Sequence, residues 1–312
     1  MLEAQWSRGN FVCVGLDSEF GKIPESARRN GNECDVSVAN TIVAFNRAIV
    51  EATKDLVCAY KPNAAFYEAH GDEGIGALQR TITDIHAIAP DVPVILDAKR
   101  ADIGNTNAGY VDAAFGFLQA DAITVHPYLG AEALQPFLAR AEKGIIVLCR
   151  TSNPGAGRLQ DRKIALNFEE LVELVGDHNQ ANDLSAEMGW NYPTGGYRVP
   201  IYQYLALDVS RHWNKNGNCS LVVGATYPEE LREIRKVVGN MSILIPGIGV
   251  QQKDVPLDRQ VQQVVSAGKD SRGYGMIINS SRGSIFASKG ADFAEAARRE
   301  TEKLRNLINH YR

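Results

Sequence analysis

The stretch Leu96-Asp97-Ala-Lys99-Arg-Ala-Asp102-Ile103 sets two carboxylates and an ammonium within six positions, directly after an apolar run. In an extended chain side chains alternate, so Asp97 and Lys99 share a face, about 6.6 Å apart along the strand. Asp102 lies past the strand end and belongs to the loop. Lys61 likewise ends an otherwise apolar run. Such groups are costly in a low-dielectric interior unless they pair. Paired, they offer a fixed cation and a proton beside a negative charge, the equipment of acid–base chemistry; a salt-bridged rim of alternating charge is the bland reading of the same spacing. A second pattern suits an anion. Gly247-Ile-Gly249 is followed on the next strand end by Arg282-Gly283, where glycines let backbone N–H groups approach a phosphate and the guanidinium supplies a forked donor.

Positioning these groups requires strands. Eight short segments rich in Val, Ile, Leu and Ala recur, at 11–17, 57–63, 92–99, 122–127, 144–151, 221–226, 242–248 and 275–281. Most are continuous apolar runs, as in parallel strands buried on both faces. Helix-period stretches lie between them. Ile42, Phe45, Ile49 and Ala52 share one face, Val111, Ala114, Phe115 and Leu118 another, and Pro228-Glu-Glu-Leu reads as a helix first turn. Eight such units predict a (β/α)8 TIM barrel with its chemistry at the carboxyl ends of the strands. The rival, a doubly wound sheet, needs a glycine-rich turn after its first strand, and Val14-Gly-Leu-Asp17 has a single glycine. We expect one domain over 1–312, with 152–220 an elaborated excursion between strands five and six at the barrel mouth. Trp190, Tyr192 and Tyr197 within it either cap the mouth or pack on one another. His126 reads as a packing residue, and Arg100, by alternation, as a partner in a surface ion pair.

The composition narrows the function classes. With 33 basic against 37 acidic residues, the net charge of −4 argues against a nucleic-acid surface. No apolar run approaches the ~20 residues that cross a membrane, and the first residues lack a leader pattern. Five cysteines without a CxxC pair, with Cys13, Cys58 and Cys149 inside apolar runs, fit a reducing, cytoplasmic setting. The histidines show no metal-ligand spacing, so no metal is expected.

On these residues the chain resembles the orotidine 5′-phosphate decarboxylase family. The family signature Asp-x-Lys-x-x-Asp-Ile appears as Asp97-Ala-Lys99-Arg-Ala-Asp102-Ile103, followed by Gly-Asn-Thr106. Val14-Gly-Leu-Asp17, Tyr60-Lys61-Pro-Asn63, Thr124-Val-His126 and Pro246-Gly-Ile-Gly-Val-Gln251 fall in the family's order. Arg150-Thr-Ser-Asn-Pro-Gly155 is similar to the branch with longer loops. The resemblance implies conversion of orotidine 5′-phosphate to UMP and CO2 in pyrimidine biosynthesis, with no metal or organic cofactor. It makes Lys99 the proton donor to C6 and sets Asp97 beside the substrate carboxylate, where two like charges about 4 Å apart cost about 4 kcal/mol at an effective dielectric near 20. Lys61 and Asp102 complete a Lys–Asp–Lys–Asp network. The resemblance further implies that Asp102 and Ile103 come from the partner subunit of a homodimer, that Asp17, Lys61 and Thr106 hold the ribose, and that Ser152 contacts the base. Gln251 would bridge phosphate and pyrimidine, and Arg282 and Gly283 would bind phosphate. The loops after strands five and seven are the natural lids. The rivals are metal-dependent sugar-phosphate lyases of the sister branch, with an acidic ligand where this chain has Lys61, and a phosphate-binding barrel without catalysis.

Overall fold

The computed structural model describes residues 1–28, 37–192, 196–249 and 254–312. All eight expected strands form: β1 Val12–Leu16, β2 Val57–Pro62, β3 Ile95–Arg100, β4 Ala122–Val125, β5 Gly144–Arg150, then, after an excursion, β9 Cys219–Val223, β10 Ile243–Pro246 and β11 Met276–Ser280. They pair in parallel in the order β2-β1-β11-β10-β9-β5-β4-β3. Bridges from Tyr60 to Val94 and Asn63 to Asp97 join β2 to β3 and close the ring into a (β/α)8 barrel. The continuous apolar runs have their cause here. One face of each strand fills the barrel and the other is covered by helices, leaving β1, β2, β9 and β11 buried throughout.

The helices obey local rules. Ser37 caps Val38–Thr53, its Oγ accepting from the Asn40 N–H, and this helix buries Ile42, Phe45 and Ile49 against the barrel; Ala52 is only half-buried. Pro228 opens Pro228–Val238 with Glu229 and Glu230 in the first turn and basic residues in the last, complementing the helix dipole.

Several strand boundaries differ from the sequence reading: the third strand begins at Ile95 rather than 92, and the seventh ends at Pro246 rather than 248. The sixth barrel strand begins at Cys219 rather than Leu221, because Ile145 and Ile146 pair with Cys219 and Ser220; the polar Ser220, bonded to Ser242, hides the strand start. Within the excursion lies a helix, His178–Glu187, capped by Asp177. That helix and Phe168–Val175 accompany a three-stranded antiparallel sheet of β6 Lys163–Leu166, β7 Asn191–Tyr192 and β8 Gly196–Pro200. Trp190 does not cap the mouth. It is buried, and its indole N–H donates to Gln203 Oε1 at 2.5 Å.

Candidate active site

Closure of the barrel brings the charged strand ends together. β1 and β2 pair with Gly15 opposite Lys61, and the Ala64 N–H donates to the Asp97 carbonyl across the β2–β3 seam. Lys61, 3% exposed, therefore meets Asp97, 8% exposed, with Nζ donating to Oδ2 at 2.7 Å. Lys99 Nζ donates to the other carboxylate oxygen at 2.6 Å. Thr124 adds a third donor to Asp97, from Oγ1 to Oδ1 at 2.8 Å. Asp17 Oδ1 sits 3.9 Å from Lys61 Nζ with no hydrogen-bond partner of its own among the described residues.

Lys99 reaches this cluster by a route that strand alternation does not supply. Its φ is +48°, a left-handed conformation that costs a non-glycine residue about 1–3 kcal/mol. The β3–β4 register shifts between Leu96 and Arg100, and the Lys99 N–H bonds to Thr124 Oγ1 at 3.0 Å. Thr124 thus holds Lys99 by its backbone and Asp97 by its side chain. Arg100 turns outward, as expected, and pairs with Glu68.

The electrostatics follow from the contacts. Burial alone would raise the Asp97 carboxyl, but the Lys61 and Lys99 ammoniums overcome it and hold the group well below the usual carboxylate range. Burial alone would lower Lys61, yet Asp97 and Asp17 drive it above an ordinary lysine. Asp97 and Lys61 therefore face each other as an ion pair at neutral pH.

Across the mouth, Asp17, Lys61 and Asp97 share a cavity of about 150 Å3 with Gly247, Asn279 and Arg282. The Arg282 guanidinium is exposed and has no acceptor among the described residues. Gly283 lies in an adjoining depression with Gly249, whose N–H is already taken by Gln260 Oε1 at 2.9 Å. Ser152 packs against Gly224, where a Cβ would come within 2.6 Å of the serine Cβ. The segment before it is fixed by Arg150, which is buried, paired with Asp161 at 2.6 Å and 3.7 Å above the Tyr227 ring. Thr106 lies half-buried on the helix Gly104–Val111. Asp102 touches no lysine among the described residues; its Oδ1 accepts from the Ile103 N–H at 2.6 Å. Gln251 lies outside the described residues.

Asn279 and Ser281, and Thr124 beyond its place in a motif, were given no site role from the sequence. Asn279 and Ser281 line the cavity, and Gly15 leaves room for them, since a Cβ there would sit 1.9 Å from Ser281 Oγ. The signal was present: Asn279, like Lys61, is a polar residue inside a buried strand.

The orotidine 5′-phosphate decarboxylase / HUMPS family model matches residues 12–299. The chain belongs to this family. Orotidine 5′-phosphate decarboxylases of Cellvibrio japonicus and Ralstonia nicotianae are each 42% identical to it, over 99% and 100% of this chain and 96% and 97% of their own length. Among solved structures, Leishmania donovani OMP decarboxylase superposes with a TM-score of 0.71 at 32% identity, covering 99% of this chain and 97% of that one. Leishmania donovani UMP synthase superposes with a TM-score of 0.72 at 33% identity over all of this chain and 55% of that one. For a member of this family, the paired lysines and the free Arg282 stand at the end of the barrel where catalysis belongs.

Proposed function

We propose that this protein decarboxylates orotidine 5′-phosphate to UMP and CO2, in a site completed by a second copy of the chain. The observation that carries this reading is the Lys61–Asp97–Lys99 cluster, in which one buried carboxylate is shared by two ammoniums, in a chain of this family. The substrate carboxylate lies beside Asp97, so that its negative charge is crowded in the ground state and relieved as CO2 departs. The electron pair of the broken bond stays on C6. Lys99 stabilises that developing charge and then delivers its proton to C6. Its side chain is half exposed, which lets it recover a proton from solvent after turnover.

Asp17, Lys61 and Thr106 hold the ribose, and the unpartnered Asp17 Oδ1 suits a hydroxyl donor. Arg282 takes the phosphate, with Gly283 and Gln251 beside it, and Ser152 contacts the base. Asp102 and Ile103 serve the neighbouring subunit. Asp102 has no lysine partner among the described residues, and Ile103, Tyr128 and Leu129 present exposed apolar side chains near the ends of β3 and β4. A homodimer would cover them. The buried Lys61 ammonium lines the cavity, where it opposes a divalent cation and favours decarboxylation over the metal-dependent chemistry of the sister branch. Among the described residues no helix is long and apolar enough to cross a membrane; the buried free thiols of Cys13, Cys58, Cys149 and Cys219 favour a cytoplasmic setting.

The direct test is UMP formation from orotidine 5′-phosphate in excess chelator. Full activity is expected; a rate lost with chelator and restored by a divalent metal would favour the sister branch instead.

A further inference from the structure

Asn107 is fully buried, and its side chain is spent on groups outside its own helix. Its Oδ1 accepts from the Asp102 N–H at 2.8 Å, while Nδ2 donates to the Asp102 carbonyl and to the Ala133 carbonyl, both at 2.6 Å. One amide therefore grips both sides of a single backbone residue and ties it to the helix Gly130–Leu138. The grip continues through the turn. The Asn107 N–H donates to the Ile103 carbonyl at 2.9 Å, and the Ile103 N–H donates to the Asp102 carboxylate. Asparagine is a poor helix residue, and within the helix Gly104–Val111 the amide makes none of the bonds that would serve the helix itself. Its effect is to fix Asp102 and Ile103 as a rigid projection, with the Ile103 side chain 57% exposed at its tip.

We infer that Asn107 is a positioning residue for the neighbouring subunit's active site, setting the backbone from which Asp102 and Ile103 reach Lys99 of the partner subunit. This inference rests on the shared site proposed above. It assigns the residue an effect in trans. A chain that loses Asn107 keeps its own Lys61–Asp97–Lys99 cluster and presents a misplaced Asp102 to its neighbour. Misplacing a catalytic group by about 1 Å is enough to cost about a hundredfold in rate.

The test uses hybrid dimers carrying two different tags, purified for both. Asn107→Ala homodimers are expected to lose about a hundredfold in kcat/KM, mostly in kcat. Asn107→Ser, which keeps a polar group in the same space, serves as a second variant, and a cooperative thermal melt reports that each is folded. In a hybrid of Lys99→Ala with an Asn107 variant, the only site holding Lys99 receives Asp102 from the chain with Asn107 intact. Half the wild-type kcat per dimer, at wild-type KM, is expected. A hybrid as slow as the Asn107 homodimer would overturn the inference, because Asn107 would then act within its own subunit. A parallel hybrid of Lys99→Ala with Asp102→Ala separates the two ideas. Recovery there, without recovery in the Asn107 hybrid, removes only the positioning role; no recovery in either removes the shared site and the inference with it.

Discussion

On one side of the barrel mouth, β1 to β4 supply Asp17, Lys61, Asp97, Lys99 and Thr124, and the last four already hold one another through hydrogen bonds of 2.6–3.0 Å. On the other side, β10 and β11 supply Gly247, Asn279 and Arg282, and Arg282 reaches into solvent with no acceptor among the described residues. In the first half, Lys61, Asp97, Lys99 and Thr124 are already bonded to one another within one chain. The second leaves its guanidinium without an acceptor among the described residues, as the phosphate role proposed for it requires. The contrast fits a division of labour in which the reacting end is held rigid, so that its dipoles and charges need no reorganisation in the transition state. The remote end supplies binding energy that closing loops can use.

The rigid half should break hardest. Asp97→Ala strips two ammoniums of their shared carboxylate and leaves Lys61 buried with Asp17 at 3.9 Å. Removing one partner of a buried pair costs about 3–5 kcal/mol, readable in a urea melt together with loss of activity. The pH dependence sharpens the point. Because Asp97 is held below its unfolded value, its contribution is fully present above that value, near 4, and is lost as pH falls through the depressed native one. Wild type should lose stability below about pH 5 more steeply than Asp97→Asn; parallel slopes would mean the cluster is not coupled to folding. The raised Lys61 acts on the other flank, its contribution present below the ordinary lysine value and lost as pH rises through the native one.

The open half should yield a smaller, cleaner effect. Arg282→Ala removes a charge-assisted contact worth about 1.5–3 kcal/mol, a rise in KM of about 10- to 100-fold, with the fold intact because nothing in the described chain leans on that guanidinium. An unchanged KM would shift phosphate recognition to the backbone N–H groups around Gly247 and Gly283.

The same contrast explains what the sequence made legible. Strand residues were readable because burial leaves a mark: Lys61 and Asp97 stand out in apolar runs, and eight such runs announce a barrel. Lys99 was placed correctly for a wrong reason, since alternation predicts its direction, whereas a left-handed backbone and Thr124 produce it. Thr124 and Asn279 were given no site role because threonine and asparagine are uncharged and raise no alarm in a strand. Asn107 left no periodic signal at all, its role depending on a turn and on a helix 26 positions away. The excursion between β5 and β9 was legible only as an excursion, because its helix His178–Glu187 is polar on most faces and buries only Ala181 and Ser185.

Lys99 is the group proposed to protonate C6, and the most direct measurement pairs turnover with binding in one variant. Lys99→Ala should bind UMP by calorimetry within about tenfold of wild type, the loss of one modest contact, while its kcat for UMP formation falls at least about ten-thousand-fold. Turnover near the wild-type rate with UMP bound as tightly would contradict the assignment outright.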